Sequence, residues 1–133
     1  MQKIPAGAWI VVADGTGARL FENSGKGATV SLKQLELLGP DKLTDAGPSG
    51  HRPPEQSAQA TDEATFAKQL AHYLNSAALK QEFTDLVLIA DPQTLGQLRP
   101  QLHNETTRRI IKEIAKTFTN SPLEDIQAVL NHY

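Results

Sequence analysis

Residues 9–22 read Trp9-Ile10-Val11-Val12-Ala13-Asp14-Gly15-Thr16-Gly17-Ala18-Arg19-Leu20-Phe21-Glu22. Five apolar residues with no polar alternation predict a strand covered on both faces, at the centre of a sheet flanked by helices. Asp14-Gly15-Thr16-Gly17 then offers two glycines that tolerate positive φ, so the chain is expected to turn tightly into a second strand from Ala18 to Asn23. The pattern is a hairpin rather than a strand followed by a helix. Asp14 reads first as a turn-former bonding its own backbone. Its second reading is a carboxylate at the end of a buried strand, where chemistry can be placed.

Beyond this hairpin, Gly25 and Gly27 mark another turn, and Thr29 to Leu38 reads as a third strand. Val30 and Leu32 lie in one phase and Leu35 and Leu37 in the other, so a β-bulge near Lys33 and Gln34 is expected. Gly39 to Thr61 is rich in Pro, Gly, Ser, Gln and Asp, with Leu43 its one large aliphatic residue. Such a segment buries too little apolar surface to offset its ordering entropy. A long loop at about 39–62 is therefore predicted, either plainly disordered or presented to a partner.

Asp62 reads as a cap for a helix running to about Lys80, with Phe66, Ala67, Leu70, Ala71, Leu74, Ala77 and Ala78 on its apolar stripe. Leu86 to Ala90 repeats the signature of the first strand and also ends in an acid, Asp91, so it should lie beside that strand. Pro92 suits a first helical position, and Leu95, Leu98 and Leu102 outline a short helix ended by Pro100 and His103. Ile110 to Phe118 fits either a helix or a strand. As a strand it would carry Arg108, Lys112 and Lys116 on the face of Ile110, Ile114 and Phe118, which is awkward for a buried surface. Ser121-Pro122-Leu123-Glu124 is a strong start signal for a terminal helix.

The bulk composition narrows the function. With 133 residues the chain suits one α/β domain, and 13 basic against 15 acidic side chains leave a net charge of −2. No general field draws it to phosphate backbones, although a local basic face is compatible with that charge. The sequence has no cysteine, which excludes disulfides, thiolate metal sites and cysteine nucleophiles. Met1 to Ala8 shows no charged-then-apolar leader and no apolar run nears the roughly 20 residues that span a bilayer, so a cytoplasmic protein without membrane insertion is expected.

If Ile110 to Phe118 is a strand, the elements run strand, strand, strand, helix, strand, helix, strand, helix. That order resembles the ribonuclease H-like architecture and the middle domain of archaeal and eukaryotic peptide-chain release factors. At residue level, WIVVADGTGARLFE, the Phe66-to-Leu74 helix, DLVLIADPQTLGQLR and KTFTNSPLEDI resemble the bacterial family of proteins required for attachment to host cells. The most specific matches are Ala13-Asp14 with Ala18-Arg19, and Leu95-Gly96 with Leu98-Arg99. The resemblance implies a mixed sheet, an antiparallel three-strand meander followed by alternating helices and strands, with the helices packed on it. It also implies a strand at 110–118. The Gly-Gly-Gln tip of release factors, which would fall in the 39–62 loop, is absent, and Gly50-His51-Arg52 is not its equivalent.

Three functions follow as expectations. The first is a non-enzymatic accessory or binding protein of the attachment type, whose body presents the loop, with His51 and Arg52, to an unknown protein partner. The second is a release-factor-like domain that binds RNA or the ribosome through Arg19, Arg99, Arg108, Arg109 and Lys112. The third, least favoured, is a metal-dependent nuclease using Asp14 and Asp91. The two acids have sufficient local roles as turn and cap residues, and His51, His72, His103 and His132 form no close-spaced pair, so no metal or other cofactor is expected.

Overall fold

The computed structural model describes residues 4–25, 30–39 and 58–132. His51, Arg52 and most of the anticipated 39–62 loop lie outside them. Strands β1 (Trp9–Ala13), β2 (Ala18–Asn23), β3 (Leu32–Leu38), β4 (Leu86–Ala90) and β5 (Ile110–Ala115) form one sheet in the order β3-β2-β1-β4-β5. The β1–β2 and β2–β3 pairs are antiparallel; β1–β4 and β4–β5 are parallel. This is the mixed sheet expected, and the ambiguous segment is a strand.

Helices α1 (Ala58–Leu79), α2 (Pro92–Leu98), the single-turn α3 (Asn104–Thr107) and α4 (Leu123–His132) cover the sheet. On one face Val11, Leu20, Leu86 and Leu88 pack with Phe66, Leu70 and Leu74 of α1 and with Leu95 and Leu98 of α2. On the other, Ile10, Val12, Phe21, Val87 and Ile89 pack with Ile126 and Leu130 of α4. Every residue of β1 and β4 is buried, which is why neither strand alternates. Trp9 stacks on Phe83 at 4.8 Å between ring centroids, and the Tyr73 hydroxyl donates to Glu36 Oε2 at 3.0 Å, tying α1 to β3.

Several element limits differ from the sequence reading. Helix α1 begins at Ala58, so Asp62 is its fifth residue and not its cap. Ala58-Gln59-Ala60 are good helix formers, and they carry the helix more than a turn further back. Its other end is a Schellman motif: Gln81 takes φ +58°, Gln81 N donates to the Ala78 carbonyl and Glu82 N to that of Ala77. β3 starts at Leu32, and its register slips so that Leu20 faces Glu36 while Phe21 faces Gln34. The extra residue is thus Leu35, next to the predicted pair. Helix α4 opens at Leu123, with the Pro122 carbonyl accepting from the amides of Asp125 and Ile126, one residue later than a Ser121 cap implies.

A second slip explains how a strand fits at 110–115. Ile110 faces Leu86 but Lys112 faces Val87, so Ile111 is extra. Ile110 therefore packs on the α1 side while Ile111 and Ile114 turn to the α4 side. The strand stops at Ala115, which removes Lys116 and Phe118 from the alternation, and Phe118 packs against the α4-side core.

Asparagines join the layers. Asn23 donates to the carbonyls of Ile4 and Pro5 and accepts from the amides of Gly25 and Ser31. Asn131 and Gln127 of α4 accept from the Val30 and Leu32 amides at 2.7 and 2.6 Å. Backbone approaching an edge strand thereby finds side-chain partners.

Candidate functional site

The hairpin turn after β1 is held by Asp14. Its amide donates to the Gly17 carbonyl at 2.9 Å, and its Oδ1 accepts from Thr16 N at 2.7 Å, Thr16 Oγ1 at 2.8 Å and Gly17 N at 3.0 Å. The turn-former reading of Asp14 is correct. The other carboxylate oxygen does something local sequence does not announce: Oδ2 accepts from Thr119 Oγ1 at 2.7 Å, across 105 residues.

Arg19, the second residue of β2, reaches the same stretch of chain. Its Nη1 donates to the Ser121 carbonyl at 2.6 Å and the Thr119 carbonyl at 3.3 Å, and its guanidinium lies 4.9 Å from the Phe21 ring centre. Asp14 and Arg19 together clamp the connection between β5 and α4 onto the hairpin. Around this clamp, at the end of the sheet where β1 stops, lies a cleft of about 280 Å³ lined by Asp14, Thr16, Gly17, Arg19, Leu37 and Asn120 among others.

Burial pushes the Asp14 carboxyl up and is the largest single influence. The hydrogen bonds from Thr119, Thr16 and Gly17 together outweigh it, holding the group below the usual carboxylate range. Asp14 is thus an anion near neutral pH, with most of its acceptor capacity in use.

Asp91 follows β4 as Asp14 follows β1, and Ala13 pairs with Ala90, so the two acid-ended strands do lie side by side. The Asp91 carboxylate caps α2, accepting from Thr94 N at 3.1 Å and Thr94 Oγ1 at 2.7 Å. Asp91 is committed to its helix cap, and Asp14 to its own turn and to Thr119. Among the described residues no group of three or more His, Cys, Asp or Glu side chains is placed to share a metal ion.

The basic residues do not converge on one point. Arg99 donates through Nε and Nη2 to Glu113 Oε1 at 2.9 and 2.6 Å. Arg109 donates to the Phe83 carbonyl at 2.9 Å and approaches Glu105 at 3.5 Å, a tie between chain segments with its side chain 14% exposed. Arg108 approaches Glu105 at 3.6 Å but stays 68% exposed. Lys112 stands on β5 opposite Val87. Arg19 belongs to the cleft instead. Thr119 and Asn120 lie in the KTFTNSPLEDI stretch, where no neighbouring residue marks a role, and Leu37 reads from the sequence as a strand residue alone. Their one available signal was the Asn-Ser-Pro break after β5.

A family model described as bacterial archaeo-eukaryotic release factor family 12 matches residues 7–130. No curated protein matches the sequence. No helix among the described residues is long and apolar enough to cross a membrane.

Proposed function

The chain belongs to the bacterial archaeo-eukaryotic release factor family 12, and on that premise we propose that it is a binding domain that contacts RNA on the translation machinery and performs no hydrolysis itself. The observation that carries this reading is the extent of the match, from just before β1 into the last turns of α4, across the whole sheet and its covering helices. The family match backs the release-factor-like alternative and lends nothing to a role in host attachment.

The residues are consistent with binding. No Gly-Gly-Gln occurs anywhere in the sequence, so the group that release factors present for peptidyl-tRNA hydrolysis has no counterpart here. Asp14 has its oxygens engaged by turn donors and by Thr119, and Asp91 by its cap donors, which leaves little with which to hold catalytic cations. Of the basic residues singled out in the sequence, Arg108 and Lys116, exposed at the two ends of β5, are the ones offered to a phosphate backbone. His51 and Arg52 join them as candidates on sequence grounds alone.

With a net charge of −2 and only two or three phosphate contacts, the salt dependence should be shallow. A rise from 50 to 200 mM salt is expected to weaken binding by roughly 10–50-fold. Co-sedimentation with purified ribosomes at both salt levels tests this. Binding at low salt that falls in this way, and falls again in Arg108→Glu/Lys116→Glu, supports the reading. Failure to sediment at low salt overturns it.

A further inference from the structure

The cleft beside the β1–β2 turn keeps binding capacity that its structural duties leave unspent. Arg19 uses Nη1 on two carbonyls, and among the described residues its Nε and Nη2 have no hydrogen-bond partner. Those two nitrogens form the fork edge that reads paired acceptors. Two carbonyls and the Phe21 ring hold the guanidinium, so little side-chain freedom remains to be lost on binding. On the same lining, Asp14 Oδ1 is crowded by three donors, whereas among the described residues Oδ2 receives one and keeps a lone pair for another. Leu37, 60% exposed, supplies an apolar wall.

We propose that this cleft takes one unstacked guanine base of an RNA strand, an inference that rests on the RNA-contact reading above. Guanine places N1–H and N2–H2 donors beside the O6 and N7 acceptors. The N1–H donor suits the one place left on Asp14 Oδ2, and the acceptors suit the Arg19 fork. Adenine would turn its N6 amino group toward the fork, donor against donor. A pyrimidine lacks the O6/N7 acceptor pair. A free phosphate is disfavoured because Asp14 lines the same cleft. An amino-acid zwitterion is a weaker match, because its ammonium brings three donors to the single place left on Asp14 Oδ2, and two carbonyls already answer part of the Arg19 charge. Leu37 covers one face of the base as an apolar neighbour, the place an aromatic ring takes in many single-strand RNA sites.

The test is amide NMR of the intact protein titrated with guanosine, adenosine and cytidine 5′-monophosphates and with glycine. Guanosine monophosphate is expected to shift Gly17, Ala18 and Asn120 saturably, with the other two nucleotides about 5–150-fold weaker. Leu37→Glu lies on the cleft wall, outside the hydrogen-bond network. It should abolish the shifts while the rest of the spectrum stays unchanged, and Arg19→Lys should abolish them too. Equal responses to all three nucleotides, a response to glycine in their place, or none to guanosine monophosphate would overturn the proposal. If ribosome binding persists with no nucleotide response, the guanine site fails and the RNA reading stands. If the nucleotide response persists with no ribosome or RNA binding, the cleft is a free-nucleotide site and the proposal as stated fails.

Discussion

Thr119→Val isolates the one long-range bond of the Asp14 carboxylate, because it removes the hydroxyl and keeps the side-chain shape. Among the described residues Asp14 Oδ2 accepts this bond alone, at 2.7 Å. A hydrogen bond to a charged group contributes about 1.5–3 kcal/mol. Asp14 is only half-buried, so water takes up part of the loss and the expected cost is about 1 kcal/mol. That corresponds to a Tm lower by about 3–5 °C. The pH dependence has a definite sign. Burial raises the Asp14 pKa, but the hydrogen bonds led by Thr119 lower it further, so its net folded value lies below the unfolded one. Its stabilising contribution is therefore fully present above the unfolded pKa, about 4, and is lost as pH falls through the folded value. Urea denaturation at pH 7, 5 and 3 should show wild type and variant separated at the two higher values and converging at the lowest. An equal difference at all three would mean that the methyl substitution, not the carboxylate bond, sets the cost, and the reasoning would fail.

Other substitutions probe the frame around the site. Asn75 is buried, donates to the Gln101 carbonyl and accepts from His103 N and Thr106 Oγ1, so Asn75→Ala strands several polar groups and should cost about 2–4 kcal/mol in urea denaturation. Asp91→Ala removes the α2 cap and should cost about 1 kcal/mol, with magnesium leaving the melting temperature of wild type and variant unchanged. Burial, followed by the bond to Glu36, raises the Tyr73 hydroxyl to about 12. Its folded pKa exceeds the unfolded one, so this contribution is present below about pH 10 and lost between there and 12, which ultraviolet titration alongside alkaline unfolding will read.

The sequence was most legible where one physical cause acted alone. The unbroken apolar runs of β1 and β4 require cover on both faces, and that requirement places the strands together at the sheet centre. Asp14 and Asp91 carried their local roles in the residues just after them, Gly-Thr-Gly and Pro-Gln-Thr. Less legible were features settled between distant parts of the chain. The slips at Leu35 and Ile111 let one strand serve two cores, and periodicity within a segment reports only their approximate place. Asp62 has the look of a cap but lies inside α1, because Ala58, Gln59 and Ala60 before it are good helix formers. The basic residues looked like one cluster because they are close in sequence, yet Glu113 takes up Arg99, Glu105 and the Phe83 carbonyl hold Arg109, Arg108 stays largely exposed, and Arg19 works on the opposite side of the sheet. Thr119 could be joined to Asp14 only by a fold that sets the end of β5 beside the β1–β2 turn.

The claim that this domain contacts RNA on the translation machinery is tested most directly by co-purification of the intact protein from its native cell, with and without nuclease treatment. Ribosomal components are expected to accompany the protein in untreated extract and to be lost after nuclease. A partner set that is unchanged by nuclease and contains no ribosomal component would contradict it.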